Sequence, residues 1–187
     1  MSINHVNKEY SIFQIAMNLT AACFISGVII AVTYFITEPI ALQKAAILKN
    51  NSMKALVKDA ENFRPIEDKK DWYAAEKGGK TIAYVVPAES KGYGGAIKIL
   101  VAVSTHGKVI NFDIVSHNET PGLGSNAQDE PFKGQFKGKN FDELIVTKDP
   151  SNTKNIQAMT GATISSRAVT KGIKEAVEEV SKFTGGK

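Results

Sequence analysis

Residues 10–37 carry no charged side chain, and this run constrains the chain more than any other feature. About 20 apolar residues in a helix cross the hydrocarbon of a bilayer. The stretch from Phe13 to Ile36, FQIAMNLTAACFISGVIIAVTYFI, exceeds that length. Its apolar residues do not keep to one helical stripe, so an apolar environment on all sides is indicated. Tyr34 and Phe35 stand near its far end, where aromatic residues favour a membrane interface. A transmembrane helix is therefore predicted over 12–37. A cleaved signal peptide fits less well, because the run is longer than a usual signal core and the flank TEPIALQKA has no small-x-small cleavage site. A lipoprotein signal ending Leu19-Thr20-Ala21-Ala22-Cys23 meets a similar objection, since the apolar run continues well past Cys23. Lys8 and the amino terminus flank one side, and Lys44, Lys49 and Lys54 the other, so charge alone favours a cytoplasmic C-terminal domain.

The 187 residues suit one modest domain behind such an anchor. Cys23 is the single cysteine, so no intramolecular disulfide is available and the domain must rest on its core. With 43% hydrophobic and 22% charged residues the chain is not of disordered composition. The net charge of +4 comes from scattered lysines without an aromatic-interleaved basic stripe, so nucleic acid is not an expected partner. From Pro39 to about Phe63 the residues Ile40, Leu42, Ile47, Leu48, Met53, Leu56 and Val57 recur near helical spacing and predict a connector helix that ends at Arg64-Pro65. Strands are expected at Thr81–Val86, ending at Pro87, and at Ala96–Val103 and Val109–Val115, the last two as a hairpin. Gly78-Gly79 marks a turn. Residues 116–140 are expected to be irregular, and residues 141–146 to hold a helical turn and a strand. Ile164, Ala168, Val169, Ile173, Ala176, Val177 and Val180 define the apolar face of a closing helix over 163–183. The fold class is α+β: an antiparallel sheet with packed helices, behind a transmembrane helix. The expected division is a tail at 1–11, the membrane helix at 12–37, a helical connector at 38–66 and the folded domain at 67–187.

Three segments have the composition of ligand contacts. Met159-Thr160-Gly161-Ala162-Thr163-Ile164-Ser165-Ser166 opens the last helix, where free N–H groups and the positive dipole end favour a phosphate. The same Thr and Ser residues could equally be an ordinary N-cap. His117-Asn118-Glu119-Thr120-Pro121-Gly122-Leu123-Gly124 is a shaped loop with mixed polar and apolar side chains, which could also be a plain turn. His117 has no His, Cys or Asp neighbours at ligand spacing, so no metal site is expected. No nucleophile elbow is present to suggest a hydrolase. Gly92-Tyr93-Gly94-Gly95 precedes a strand rather than opening a helix, so it is not a dinucleotide fingerprint.

Together, the N-terminal helix, GYGGAIKILVAV, SHNETPGLG and TGATISS resemble, in order, the FMN-binding domain of the RnfG family of Rnf electron transport complexes, and of the related NqrC subunit of sodium-translocating quinone reductase. The resemblance implies an electron-transfer subunit of a membrane-bound ion-translocating ferredoxin:NAD oxidoreductase, not catalytic alone. It implies FMN joined by a phosphoester to Thr163, with Thr160, Gly161, Ala162, Ser165 and Ser166 shaping the phosphate site. Glu119, Thr120, Gly122, Leu123 and Gly124 would enclose the flavin. The implied partners are the other subunits of the complex, the lipid bilayer and a flavin transferase that makes the bond. The implied location is the cytoplasmic membrane with the domain on its outer side, against the charge count. The transferase pattern often has Asp six residues before the Thr; Gln157 stands there in this chain. The short chain and GYGGAI favour RnfG over NqrC. A membrane-anchored flavin sensor and a cofactor-free assembly subunit are the other functional readings of the same residues.

Overall fold

The structure, a computed structural model, describes residues 11–185. The expected N-terminal tail, apart from residue 11, lies outside them, as do the side chains of Leu42 and Leu48. The chain divides into two compact units, Met1–Leu48 and Lys49–Lys187.

The described part of the first unit is helical from Ile12 onward. This helix, α1 (Ile12–Leu56), runs through Pro39 without a break. Proline removes one backbone hydrogen bond from a helix interior, and here the helix tolerates that loss. Within it, Ile12–Ala41 is long and apolar enough to cross a membrane, and none of that span is buried within the protein. A soluble protein's core helix would hide such a surface; Phe13, Phe24, Ile30 and Phe35 are all more than two-thirds exposed.

The second unit is built on a five-stranded antiparallel meander, in order β1 (Asn62–Pro65), β2 (Tyr73–Lys77), β3 (Lys80–Lys91), β4 (Ala96–Ser104) and β5 (Val109–Ser116). Alternation along β4 distributes its side chains to two cores. Ile97, Ile99, Val101 and Val103 face α3 (Thr163–Phe183), whose Val169, Ile173, Val177 and Val180 are fully buried against them. Leu100 and Ala102 face the other way, with Ala83 and Val85 of β3, and are covered by Met53, Leu56 and Val57 from the end of α1 and just beyond. Covering both faces explains why AIKILVAV reads as an almost unbroken apolar run.

The predicted β4–β5 hairpin, the Gly78-Gly79 turn and the closing helix are present. Five expectations are corrected. The helix after Pro39 ends at Leu56, not near Phe63, and Asn62–Pro65 pairs as an edge strand instead of a helix stop. β3 does not end at Pro87 but continues to Lys91. Pro87 is paired only with Leu100 of β4, beyond the end of β2, where the missing N–H disturbs one ladder at most. Residues 116–140 are not wholly irregular: 3₁₀ turns at Gly124–Gln128 and Gly134–Phe136 flank α2 (Glu130–Lys133). They are held by Phe132 and Phe136, which stack edge to face with each other, and Phe136 with Phe112 of β5. Ile164 is 56% exposed and does not join the core face of α3. A turn at 141–143 and a strand, β6 (Val146–Thr147), stand where a helical turn and a strand were expected, whereas the parallel pairing of β6 with β7 (Ile156–Gln157) was not expected.

The last turn of α1 is thus part of the domain core. Leu56→Ala should lower the unfolding free energy of the detergent-solubilised chain by about 2–5 kcal/mol in denaturant titration; a loss under about 0.5 kcal/mol would show that this turn is not structural. A smaller tie joins Lys49 Nζ to Asp71 Oδ1 at 2.6 Å. The bond from Lys49 holds the Asp71 carboxyl below its ordinary value. A depressed carboxyl contributes stability that is present above its unfolded pKa and lost as pH falls through its folded one. Both groups are partly solvent-exposed, so the contribution is under about 1 kcal/mol. Asp71→Asn should therefore abolish a small acid-side loss of stability below about pH 4, visible by comparing thermal midpoints at pH 3 and pH 6.

Candidate functional site

The four residues between β3 and β4 are Gly92-Tyr93-Gly94-Gly95, so this segment is the tip of a hairpin. β5 leaves the sheet at Ser116, paired with Lys98 at that same end. The loop from His117 to Gly124 therefore emerges beside the tip. The contact is close: a Cβ on Gly94 would lie 1.9 Å from the Asn118 carbonyl oxygen, so only glycine fits. His117 is used internally, its Nδ1 accepting from the Glu119 N–H at 3.1 Å.

Glu119 joins three segments. It is buried, with 6% of its surface exposed. Oε1 accepts from the Gly94 N–H at 2.9 Å, and Oε2 accepts from the Ser165 hydroxyl in the first turn of α3. Added Cβ atoms on Gly92 and Gly124 would both strike this carboxylate, so glycines leave it room on either side. A charged acceptor shared between two donors is a strong tie.

The start of α3 departs from an ordinary cap. Its N-cap position is Ala162, and no side chain caps it. The first helical backbone bond is from Ser166 N–H to the Ala162 carbonyl, which leaves the amides of Thr163, Ile164 and Ser165 outside the ladder. The Ser166 hydroxyl instead accepts from the Met159 N–H and donates to the Ala162 carbonyl, both at 2.9 Å. Met159 to Ala162 forms a turn closed by Ala162 N–H to Met159 O at 3.1 Å, with Gly161 at φ +74° in the position that needs glycine. Among the described residues the Thr163 hydroxyl has no hydrogen-bond partner, and the residue is half-buried.

These walls enclose a cleft of about 730 Å³, lined by Tyr93, Glu119, Thr120, Leu123, Gly124, Lys148, Gly161, Ala162, Thr163, Ile164 and Ser165. That volume lies within the ~300–1,000 Å³ usual for small-molecule and cofactor sites. Eight of the eleven residues expected from the sequence line it: Thr163, Glu119, Thr120, Leu123, Gly124, Gly161, Ala162 and Ser165. Gly122, Thr160 and Ser166 do not. Gly122 is turned to solvent, its N–H held by the Ser125 hydroxyl at 2.9 Å. Thr160 is exposed on the turn, and Ser166 is wholly buried beneath it. Tyr93, Lys148 and Ile164 are cleft residues that sequence reasoning missed. Tyr93 sits in a segment already noted for its glycines, whereas Lys148 follows a two-residue strand with no periodic signal. Gln157 does not line the cleft; it is tied into the turn after Lys148.

The cleft offers two kinds of surface. The free amides of α3 and the Thr163 hydroxyl suit a phosphate. Tyr93, Leu123 and Ile164, exposed by 72%, 44% and 56%, offer apolar surface for a planar ring. The Leu123 side chain leans over the turn, 3.2 Å from where a Cβ on Gly161 would stand. Phosphate, flexible chain and ring are the parts of FMN, so the residues present fit that group.

Comparison with known proteins agrees. Residues 92–178 match the FMN-binding domain family, a span that contains all three cleft-forming motifs. The chain is 68% identical over 179 residues to the G subunit of the proton-translocating ferredoxin:NAD(+) oxidoreductase complex of Clostridium ljungdahlii, covering 96% of this chain and 97% of that protein. It is 27% identical to the G subunit of the ion-translocating oxidoreductase complex of Methanosarcina acetivorans, covering 96% and 100% of the two chains. In fold it is similar to the crystal structure of Shewanella oneidensis NqrC, with a TM-score of 0.52 at 20% identity, over 70% of this chain and 74% of that one. At that identity the likeness shows fold alone. An FMN-binding domain behind a long apolar helix, matched over nearly its whole length at 68% identity, places this chain in the RnfG family, the G subunits of ion-translocating oxidoreductase complexes.

Proposed function

We propose that this chain carries electrons within a membrane-bound, ion-translocating ferredoxin:NAD(+) oxidoreductase complex, using FMN held as a phosphoester on Thr163. The family and the FMN-binding domain support the electron-carrying role and the cofactor. The observation that carries the attachment is the unpartnered Thr163 hydroxyl, at an uncapped helix start and on the wall of the cleft that both loops build.

Bound there, FMN supplies a centre that accepts and returns electrons one or two at a time. The chain's own residues do the rest. The amides of Thr163, Ile164 and Ser165 would receive the phosphate, and Tyr93, Leu123 and Ile164 would cover part of the ring. Glu119 keeps the two walls at a fixed separation by holding Gly94 and Ser165 together. A threonine hydroxyl is a poor nucleophile without a base beside it. The Thr163 hydroxyl has no hydrogen-bonded base among the described residues, which supports a separate flavin transferase as the source of the ester. The partners are the other subunits of the complex and the bilayer around Ile12–Ala41. The cytoplasmic membrane, with the domain on its outer side, is the location that gives a covalent bond its use, since a detached flavin would be lost to a large volume.

The near-full-length match to an RnfG protein favours this assignment over an NqrC-like quinone reductase subunit, with which the likeness is one of fold. Intact-mass and peptide mass spectrometry of protein from its native membrane should find an FMN-sized adduct on the peptide containing Thr163. Thr163→Ala should remove it entirely, and Thr163→Ser, which keeps a hydroxyl, should retain part of it. An adduct persisting in Thr163→Ala would refute the assignment, and an unmodified Thr163 in mature protein would turn the reading towards assembly or regulation.

A further inference from the structure

Among the described residues, Lys148 is the only cation lining the cleft, and it forms no ion pair. Its neighbour Asp149 is engaged elsewhere: the Asp149 carboxylate accepts from the Ser151 hydroxyl at 2.7 Å and the Ser151 N–H at 3.0 Å. The Ser151 hydroxyl and amide also hold that carboxyl below its ordinary value, so it stays ionised and committed to the turn.

The backbone around Lys148 is unusually well tied for an exposed segment. On one side, Ala158 N–H bonds the Thr147 carbonyl at 2.9 Å, and the Thr147 hydroxyl accepts from Asp149 N–H at 3.1 Å. On the other, the Gln157 side-chain amide donates to the Asp149 carbonyl and to the Asn152 carbonyl, the latter at 3.1 Å. The Gln157 backbone is itself clamped, its N–H donating to Gln135 Oε1 at 2.7 Å. Two carbonyls facing one side chain require a donor, which glutamine has and a carboxylate lacks. An ordered turn that presents one unpaired cation to a cleft fitted for an anionic cofactor has an evident electrostatic use.

We propose that Lys148 is the cation that balances the negative charge of the flavin nucleotide in the cleft and raises its reduction potential, and that Gln157 is a positioning residue that acts through the 149–152 turn to hold Lys148 there. This rests on FMN occupying the cleft as described above. Reduction adds negative charge to the flavin, and a nearby lysine stabilises the form that has gained it. Because Lys148 is exposed, the effect is screened by salt.

The test is a redox titration of the full-length flavinylated chain in detergent, followed by flavin absorbance, after mass spectrometry has confirmed the adduct on Thr163. Lys148→Gln should disfavour the reduced form about tenfold, a fall of about 30 mV for a two-electron couple. Lys148→Arg should restore the wild-type potential, and 1 M salt should erase most of the difference. Gln157→Ala should lower the potential in the wild-type background and leave it unchanged in Lys148→Gln, because both act through one group. A Lys148→Gln chain that no longer acquires FMN while Lys148→Arg does would support the same charge role. An unchanged potential in Lys148→Gln would overturn the proposal. So would a Gln157→Ala shift that persists in Lys148→Gln, as far as Gln157 is concerned. Absence of an adduct in the wild-type chain would refute the FMN assignment itself, and with it this inference.

Discussion

Burial of β4 on both faces is the constraint from which the remaining architecture follows. A strand reading AIKILVAV cannot leave either side to water, so two different elements must cover it. α3 takes the face of Ile97, Ile99, Val101 and Val103, and the end of α1 takes the face of Leu100 and Ala102. The first contact puts the start of α3 at the end of the sheet where the β3–β4 tip and the β5 exit meet. The second makes the last turn of the N-terminal helix a structural part of the flavin domain. The site and the role of the last turn of α1 follow from how one strand is covered.

Glu119 then converts proximity into a site. A buried carboxylate is costly unless its acceptors are filled, and here Gly94 and Ser165 fill them from two different elements. The glycines at 92, 94 and 124 belong to the same arrangement, since a Cβ at any of them would collide with Glu119 or with the backbone next to it. The GYGG and ETPGLG segments thus read as halves of a single packing solution. This is why they are informative together and weak apart.

Much of this was legible before the structure. The long uncharged run, the start of the closing helix at Thr163 and its core stripe followed from charge and period, and the two loop motifs nominated most of the cleft. What escaped has identifiable physical causes. Pro87 marks a strand end by local rule, but lies where β3 has only one partner. Phe132 and Phe136 stand four apart, a helical spacing hidden among Gly, Asn, Pro and Lys. Ile164 continues the apolar stripe of α3, yet in the first turn that surface lies over the cleft and not over the sheet. Lys148 lines the cleft from a turn held by side-chain-to-carbonyl bonds from Gln157, which leave no periodic trace in a sequence. Thr160 and Ser166 were nominated for their hydroxyls, but both belong to the turn before α3 and its support instead of to the cleft wall.

The exposure of the ring-side residues gives the proposed covalent attachment its logic. An electron carrier needs part of its flavin open to partners, and Tyr93, Leu123 and Ile164 are each between two-fifths and three-quarters exposed. A site that open buries too little of a ligand to hold it tightly by contact alone, since affinity grows with the surface removed from water. A deep pocket would solve retention by hiding the ring. The phosphoester proposed at Thr163 would solve it at the other end of the molecule, where the helix amides already favour a phosphate. With that attachment the cleft would stay shallow where electrons pass and secure where none do. A single exposed charge, as proposed for Lys148, would adjust the potential without closing the ring from its partners.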